Sequence, residues 1–341
     1  MRMPESIQVG STPLASPFQT VRRALAVSLA ASILVPLACV IAYGGLDYGR
    51  RVADANSRLL VLSRVAQENA SRVFDLNAVL TARTLDLLGN ATREEIRQRE
   101  PEIHRQLAAF LDGLPQVASL SVFGPGGDLI ASSRYSPPPA VAITDRGGFG
   151  SSPYSSSHPY ISLPLYRRID GETVLVSSVE RASNGDGHLG IISVALRRKY
   201  LVDLYSTFLD NDPAYTVSLY RREGAAMLAS SSSNIPWGGL EHNRNFAQAI
   251  KENVLFGNFT QEGGGRGDDM LVSFRRVGDY PVYVASTFDL DDLRGAWWRD
   301  LIVIAITVLI PSAMSCAWIL RLLVRLRPDE AEWQRRVHNT A

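Results

Sequence analysis

Two long runs of uncharged, mainly apolar residues interrupt the pattern of hydrophobic and polar positions along this chain. The first runs from Ala24 to Gly45 and the second from Leu301 to Leu320. A helix of about 20 residues, rising about 1.5 Å per residue, spans the ~30 Å hydrocarbon core of a bilayer. The pattern therefore predicts transmembrane helices at 24–45 and 301–320. A cleaved signal peptide or lipoprotein signal is the alternative for the first run, although its apolar part exceeds the usual ~7–15 residues.

Positive charge lies on the terminal side of both runs. Residues 1–23 carry three arginines and one glutamate, and residues 321–341 carry five arginines and three acidic residues. Positively charged flanks favour the cytoplasmic side of a membrane, and long loops are translocated largely regardless of their charge. We therefore predict a cytoplasmic N-terminus at 1–23, a short cytoplasmic tail at 321–341, and an external segment at 46–300.

Apolar residues recur every seven positions from residue 46 to 88, which predicts a long helix with one apolar face. Packing of this face against the rest of the domain and pairing with the same helix of a second copy both agree with the spacing. A second series of positions turns polar at Asn69 and Arg83. The first series consists of Val52, Leu59, Ala66, Val73, Leu80 and Leu87.

Short strands follow this helix in two similar sets. Each set has a strand pair, a variable segment and three further strands, which predicts two related lobes at about 92–210 and 213–290. The predicted fold class is α+β, with a long N-terminal helix and two antiparallel sheets between two transmembrane helices. In the first lobe we predict a helix from a capping box at Thr92–Glu95 to about Leu111, strands at 117–123, 129–132, 160–166, 173–181 and 189–196, and a helix at 200–209. In the second lobe we predict strands at 215–220, 226–229, 254–260, 270–277 and 282–287, and a helix at 246–254.

Composition and motifs argue against several functions. Lys and Arg number 35 against 34 Asp and Glu, so the net charge of +1 gives no indication of a nucleic-acid partner. The two cysteines, Cys39 and Cys316, lie inside the apolar runs, and the five histidines are isolated. Gly263–Gly267 lacks the GK[ST] of a phosphate-binding loop, and no serine lies in a GxSxG turn. We therefore expect a protein without enzymatic activity, metal site or cofactor.

Six segments of residues 46–300 follow one another in a characteristic order. The first lobe contains VASLSVFGPGGDLIASSR (117–134), TDRGGF (144–149), YISLPLYRRIDGETVLVSSVER (160–181) and GHLGIISVAL (187–196). The second contains FAQAIKENVLFGNF (246–259) and DDMLVSFRRVGDYPVYVASTFDLDDL (268–293). In order and spacing these segments resemble the double Cache (PDC, periplasmic PAS-like) sensor region of bacterial transmembrane receptors.

The resemblance implies a sensor that binds a small molecule outside the membrane and takes part in signal transduction. In that family the pocket lies in the membrane-distal lobe, here about 92–210, with 213–290 as the membrane-proximal lobe. An arginine can bind a carboxylate bidentately while aromatic residues wall the pocket. The expected ligand class is an organic acid, amino acid or amine. The candidate ligand-binding residues carried over by position are Asp145, Arg146, Phe149, Tyr160, Ser178 and Arg181.

The chain also departs from the family pattern. The aromatic pair after Asp-Arg is reduced to Gly147-Gly148-Phe149, and the Arg-x-Trp-Tyr signature of amino-acid-binding members is not found. An alternative is therefore that Asp145 and Arg146 pair with each other and that the pocket is vestigial.

Related receptors continue into a histidine kinase, cyclase or chemotaxis module, whereas 321–341 is too short to form such a core. We therefore expect a separate output protein as partner. The alternatives are a non-catalytic regulatory or structural partner of another membrane protein, or a truncated histidine kinase, diguanylate cyclase or chemoreceptor. A homodimer through helix 46–88 and the spans is also expected. The implied location is the bacterial inner membrane, with residues 46–300 in the periplasm.

Overall fold

A computed structural model describes residues 17–143, 159–167, 171–182, 188–209, 212–232, 239–261 and 269–340. The chain divides into two compact units. One, here called the terminal unit, consists of Met1–Val52 and Leu293–Ala341. The other, the central unit, consists of Ala53–Asp292. The α-helices of the described residues are α1 (Pro17–Leu88), α2 (Arg93–Gln98), α3 (Glu100–Phe110), α4 (Arg198–Phe208), α5 (Arg244–Lys251) and α6 (Leu290–Thr340).

Two helices contain stretches long and apolar enough to cross a membrane. These stretches are Thr20–Leu88 in α1 and Leu290–Arg325 in α6, with mean hydropathies of 2.5 and 2.2 over their most apolar windows. Within the terminal unit, the indole Nε1 of Trp297 donates a hydrogen bond to the carbonyl oxygen of Gly44 at 3.1 Å. Both predicted spans are therefore helical, and the two helices are in contact at this point.

The first lobe is built on an antiparallel sheet in the order β2-β1-β6-β5-β3, with β4 also paired to β5. The predicted strand 160–166 is interrupted, because Pro164 lies between β3 and β4 and has no N–H to donate. The strands are β1 (Val117–Phe123), β2 (Leu129–Ser132), β3 (Tyr160–Ile161), β4 (Leu165–Tyr166), β5 (Thr173–Ala182) and β6 (His188–Arg197).

The second lobe repeats this order as β8-β7-β11-β10-β9. Its strands are β7 (Tyr215–Arg221), β8 (Met227–Ser230), β9 (Phe256–Gln261), β10 (Met270–Arg276) and β11 (Val282–Asp289). Corresponding hydrogen bonds support the repeat. The hydroxyl of Ser133 accepts from the backbone N–H of Leu120 at 2.9 Å, and Ser231 accepts from Val217 at 3.0 Å. The α+β prediction with two antiparallel sheets is confirmed.

The apolar face of α1 is buried within a single chain. Leu59, Ala66, Val73 and Leu80 are all at most 6% exposed. Of the two interpretations of the seven-residue spacing, packing against the domain is therefore confirmed in the central unit. Pairing with a second copy stays a prediction.

The capping box that begins α2 is present, with the Thr92 hydroxyl and the Glu95 carboxylate each bonded to the other's backbone N–H. The single helix predicted from here to about Leu111 is instead two helices that meet at Arg99. Pro101 lies in the first turn of α3, where a proline is tolerated, and it ends the continuous hydrogen-bond ladder.

Candidate functional site

The predicted ligand-binding residues fall into three groups. Asp145, Arg146 and Phe149 lie outside the described residues. Tyr160 on β3 is directly paired with Ser178 on β5, so their side chains share one face of the first sheet. Arg181, three positions after Ser178 on β5, points to the opposite face, as alternation along a strand requires.

A row of hydroxyl side chains crosses the face that carries Tyr160 and Ser178. The pairing register places one serine from each of β5, β6, β1 and β2 side by side. We call Ser178, Ser193, Ser121 and Ser132 the serine row, with Tyr160 at its end. The hydroxyl oxygens of Ser178 and Ser193 are 2.8 Å apart, and both residues are buried.

Small side chains flank the serine row on one side. Ser119, Ala195 and Val176 are paired in register across β1, β6 and β5, so they share its face. On the other side, the Glu180 carboxylate lies 2.7 Å from Nδ1 of His188. Because the neighbouring side chains Ser119, Ala195 and Val176 are short, the hydroxyl groups are the main polar groups at the serine row. The face can donate and accept hydrogen bonds, as recognition of a small polar molecule requires.

The equivalent row of the second lobe has different chemistry. Its register runs Ser230, Ser218, Ala285, Phe274 and Gly257 across β8, β7, β11, β10 and β9. Phe274 therefore stands where Ser178 stands in the first lobe, and Gly257 stands where Tyr160 stands. A Cβ atom on Gly257 would lie 2.7 Å from the Phe274 ring. Any larger residue at position 257 would therefore clash with the ring in its present position.

Aromatic side chains fill this face of the second lobe beneath α5. Phe246 of α5 has its ring centroid 5.0 Å from that of Tyr220 and 5.6 Å from that of Phe274. Burial raises the pKa of Tyr220, whose hydroxyl accepts from the backbone N–H of Leu240 at 3.1 Å, and burial also raises the pKa of Tyr283. The face is an aromatic core, whereas the first lobe presents hydroxyls at the same place.

Arg181 is 1% exposed and makes its contacts at the end of α1. Its Nη2 donates to the carbonyl oxygens of Ala91 at 2.6 Å and Gly89 at 3.3 Å. Burial lowers the pKa of this guanidinium. The structure therefore brings Tyr160 and Ser178 together but places Arg181 away from them, and its ligand-binding role stays a prediction.

Sequence reasoning missed Ser193, Ser121, Ser119 and Ser132. Alternation within β1 places Ser119 and Ser121 on one face, and this much could have been predicted from the sequence of the strand. Their alignment with Ser193 and Ser178 depends on the register between strands, which the sequence does not state locally. Among the residues that the structure describes, no group of three or more His, Cys, Asp or Glu side chains could hold a metal ion.

The fold has relatives among solved structures. The extracellular domain of the candidate histidine kinase rpHK1S-Z16 is similar with a TM-score of 0.56 and 21% identity, covering 72% of this chain and 99% of that one. At this identity the likeness establishes a common fold.

Weaker likenesses extend to two chemoreceptors. The sensory domain of Campylobacter jejuni Tlp3 with isoleucine bound has a TM-score of 0.48 and 14% identity, covering 72% of this chain and 96% of that one. The ligand-binding domain of Pseudomonas aeruginosa PAO1 PctC with GABA has a TM-score of 0.47 and 20% identity, covering 69% of this chain and 100% of that one. No protein-family model and no curated protein matches the sequence. The likeness to the kinase domain supports the resemblance at the level of the fold alone: this chain shares the fold of that extracellular domain.

Proposed function

We propose that this chain is a membrane-anchored sensor whose first lobe binds a small polar molecule at the serine row. The observation that carries the proposal is the contrast between equivalent positions of the two sheets. Ser178 and Ser193 stand where the second lobe has Phe274 and Ala285. Aromatic packing closes the second face, whereas hydroxyls prepare the first face for a polar ligand.

The ligand class follows from the donors and acceptors of this face. Serine and tyrosine hydroxyls both donate and accept hydrogen bonds, so they suit a carboxylate, a hydroxyl or an ammonium group. Each such bond contributes about 0.5–1.5 kcal/mol net. We propose an organic acid, amino acid or amine as ligand, contacted by Tyr160, Ser178 and Ser193. Asp145, Arg146 and Phe149 complete the proposed site on the strength of the family resemblance.

Signalling in this proposal is non-enzymatic. A ligand that binds two arrangements of the domain with different affinity shifts the population between them. The α1 helix contributes its buried face to the central unit and also contains the first predicted span. We propose that both chain termini are cytoplasmic, that residues 46–300 are periplasmic, and that a separate protein provides the output.

Thermal-shift screening of the purified full chain in lipid nanodiscs tests the proposal. The panels are organic acids, amino acids and amines. A ligand present at about 100 times its dissociation constant adds about 2.7 kcal/mol, which corresponds to roughly 5–10 °C in Tm for a domain of this size. We expect at least one compound to produce such a shift.

Two variants locate the binding site. Ser193→Val removes a hydroxyl of the serine row, and we expect it to abolish the shift. Ser218→Val is the matched control, because Ser218 is equally buried and hydrogen-bonds Ser230 at 2.9 Å in the second lobe. A shift that survives Ser193→Val, or no shift with any compound of the three panels, would contradict the proposed site.

A further inference from the structure

A cavity lies on the other face of β5, where α1 meets both lobes of the central unit. It has a volume of about 350 Å³, within the ~300–1,000 Å³ usual for small-molecule pockets. Its lining comes from α1, from Pro159 before β3, from Ser177 and Val179 of β5, and from Gly278–Tyr280 in the turn between β10 and β11. Because Ser177 and Val179 alternate with Ser178, this cavity and the serine row lie on opposite faces of the sheet.

Two carboxylates line the cavity, Asp75 from α1 and Asp279 from the β10–β11 turn. Asp75 accepts hydrogen bonds from the hydroxyl of Tyr280 at 2.9 Å and from that of Ser71 at 3.3 Å, and both donors are neutral. Arg276 donates at 3.0 Å to the backbone carbonyl of Asp279 rather than to its carboxylate. Within the described ranges neither carboxylate forms an ion pair, so both can accept hydrogen bonds from a cationic ligand.

Aromatic rings lie beside these carboxylates. The ring centroids of Phe74 and Tyr280 are 5.3 Å apart, and both residues line the cavity. Burial and the neighbouring Asp75 raise the pKa of the Tyr280 phenol, so the ring stays neutral at physiological pH. A cation within about 6 Å of such a ring is attracted by its quadrupole. Val179 and Ala78 supply apolar surface in the same cavity.

We propose that this cavity is a second binding site, which takes a small organic cation with a hydrocarbon portion. Its ammonium group binds Asp75 and Asp279 beside the rings of Phe74 and Tyr280, and its hydrocarbon portion packs on Val179 and Ala78. An occupant would contact α1, the first lobe and the second lobe at once. Binding would therefore stabilise one arrangement of these three parts, independently of a ligand at the serine row.

The probe for this site is phenethylammonium, with 2-phenylethanol as its neutral analogue of the same shape. Titration calorimetry of the full chain in nanodiscs measures both at low ionic strength, since exposed charges are screened by salt. We expect the ammonium compound to bind at least tenfold more tightly than the alcohol. Equal affinity of the two compounds, or no saturable binding of the ammonium compound, would overturn the proposal.

Substitutions of the two carboxylates test this site. Asp75→Asn keeps an acceptor for Tyr280, and Asp279→Asn lies on an exposed turn, so both variants should fold. We expect each to lower phenethylammonium affinity severalfold, and the double variant to remove the preference over the alcohol. Ser218→Val, which changes a buried hydroxyl of the second lobe outside both sites, serves as control and should bind phenethylammonium as the unaltered chain does. Unchanged binding in the double Asp variant would contradict the proposed site.

Discussion

At the scale of single residues, Arg181 shows how position on a strand decides the role of a side chain. The family resemblance placed Arg181 with Ser178 in the predicted ligand site. The two residues are three positions apart on β5, so their side chains lie on opposite faces of the sheet. Its guanidinium satisfies the carbonyl oxygens of Gly89 and Ala91, which follow the last turn of α1. A hydrogen bond that involves a charged group contributes about 1.5–3 kcal/mol net. The geometry therefore indicates that Arg181 fastens the end of α1 to the first sheet.

Replacing Arg181 with methionine should lower the free energy of unfolding by about 1.5–3 kcal/mol, because the hydrogen bonds from the guanidinium to Gly89 and Ala91 are lost. Urea unfolding of the full chain, followed by circular dichroism, measures the change. Arg64→Met is the control, since Arg64 is an exposed residue of α1, and surface substitutions usually change stability by less than ~0.5 kcal/mol. Equal stability of the two variants would show that Arg181 does not hold the end of α1.

Phe274 and Ser178 occupy equivalent positions, so the same truncation should have different consequences. Phe274→Ala leaves a cavity among Phe246, Phe259 and Tyr283 and should cost about 3–5 kcal/mol. Ser178→Ala removes one hydrogen bond, to Ser193, and should cost about 0.5–1.5 kcal/mol. Chemical denaturation of both variants gives the comparison. A similar loss in both would mean that the serine row is part of a packed core.

At the scale of elements, the sequence predicted what depends on local pattern. The end of α1 near Gly89, the capping box at Thr92 and the central strands of both sheets depend on spacing, capping and alternation, and all are present. The differences arise at prolines: Pro101 divides one predicted helix and Pro164 one predicted strand. The serine row could not be predicted, because it exists only through the register of strands far apart in sequence.

The α1 helix allows a direct test of its packing role. Leu80→Ala should destabilise the central unit by about 2–5 kcal/mol, since Leu80 is 1% exposed and its removal leaves a cavity. Val79→Ala, one residue earlier and 48% exposed, should change stability by less than ~0.5 kcal/mol. Urea unfolding of the two variants decides the matter. If Val79→Ala were the more damaging, the exposed face of α1 would be an interface with a second copy.

At the scale of the whole molecule, the central proposal requires the sensor fold to lie outside the membrane. The two candidate spans and the arginine-rich terminal flanks are the basis for that orientation. Alkaline phosphatase, active only after export, should be active when fused after residue 200. Green fluorescent protein fused after residue 341 should fluoresce, since it folds in the cytoplasm. The opposite pair of results would place the sensor fold on the cytoplasmic side.

The most direct test of the sensor proposal is hydrogen–deuterium exchange of the full chain with and without the best compound from the screen. Binding at the serine row should slow amide exchange in β5 and β6, residues 173–182 and 188–197, because local opening becomes rarer in the bound state. The equivalent strands β10 and β11, residues 270–276 and 282–289, serve as the internal reference and should exchange unchanged. Protection confined to the second lobe, or protection nowhere in the central unit, would contradict a ligand site at the serine row.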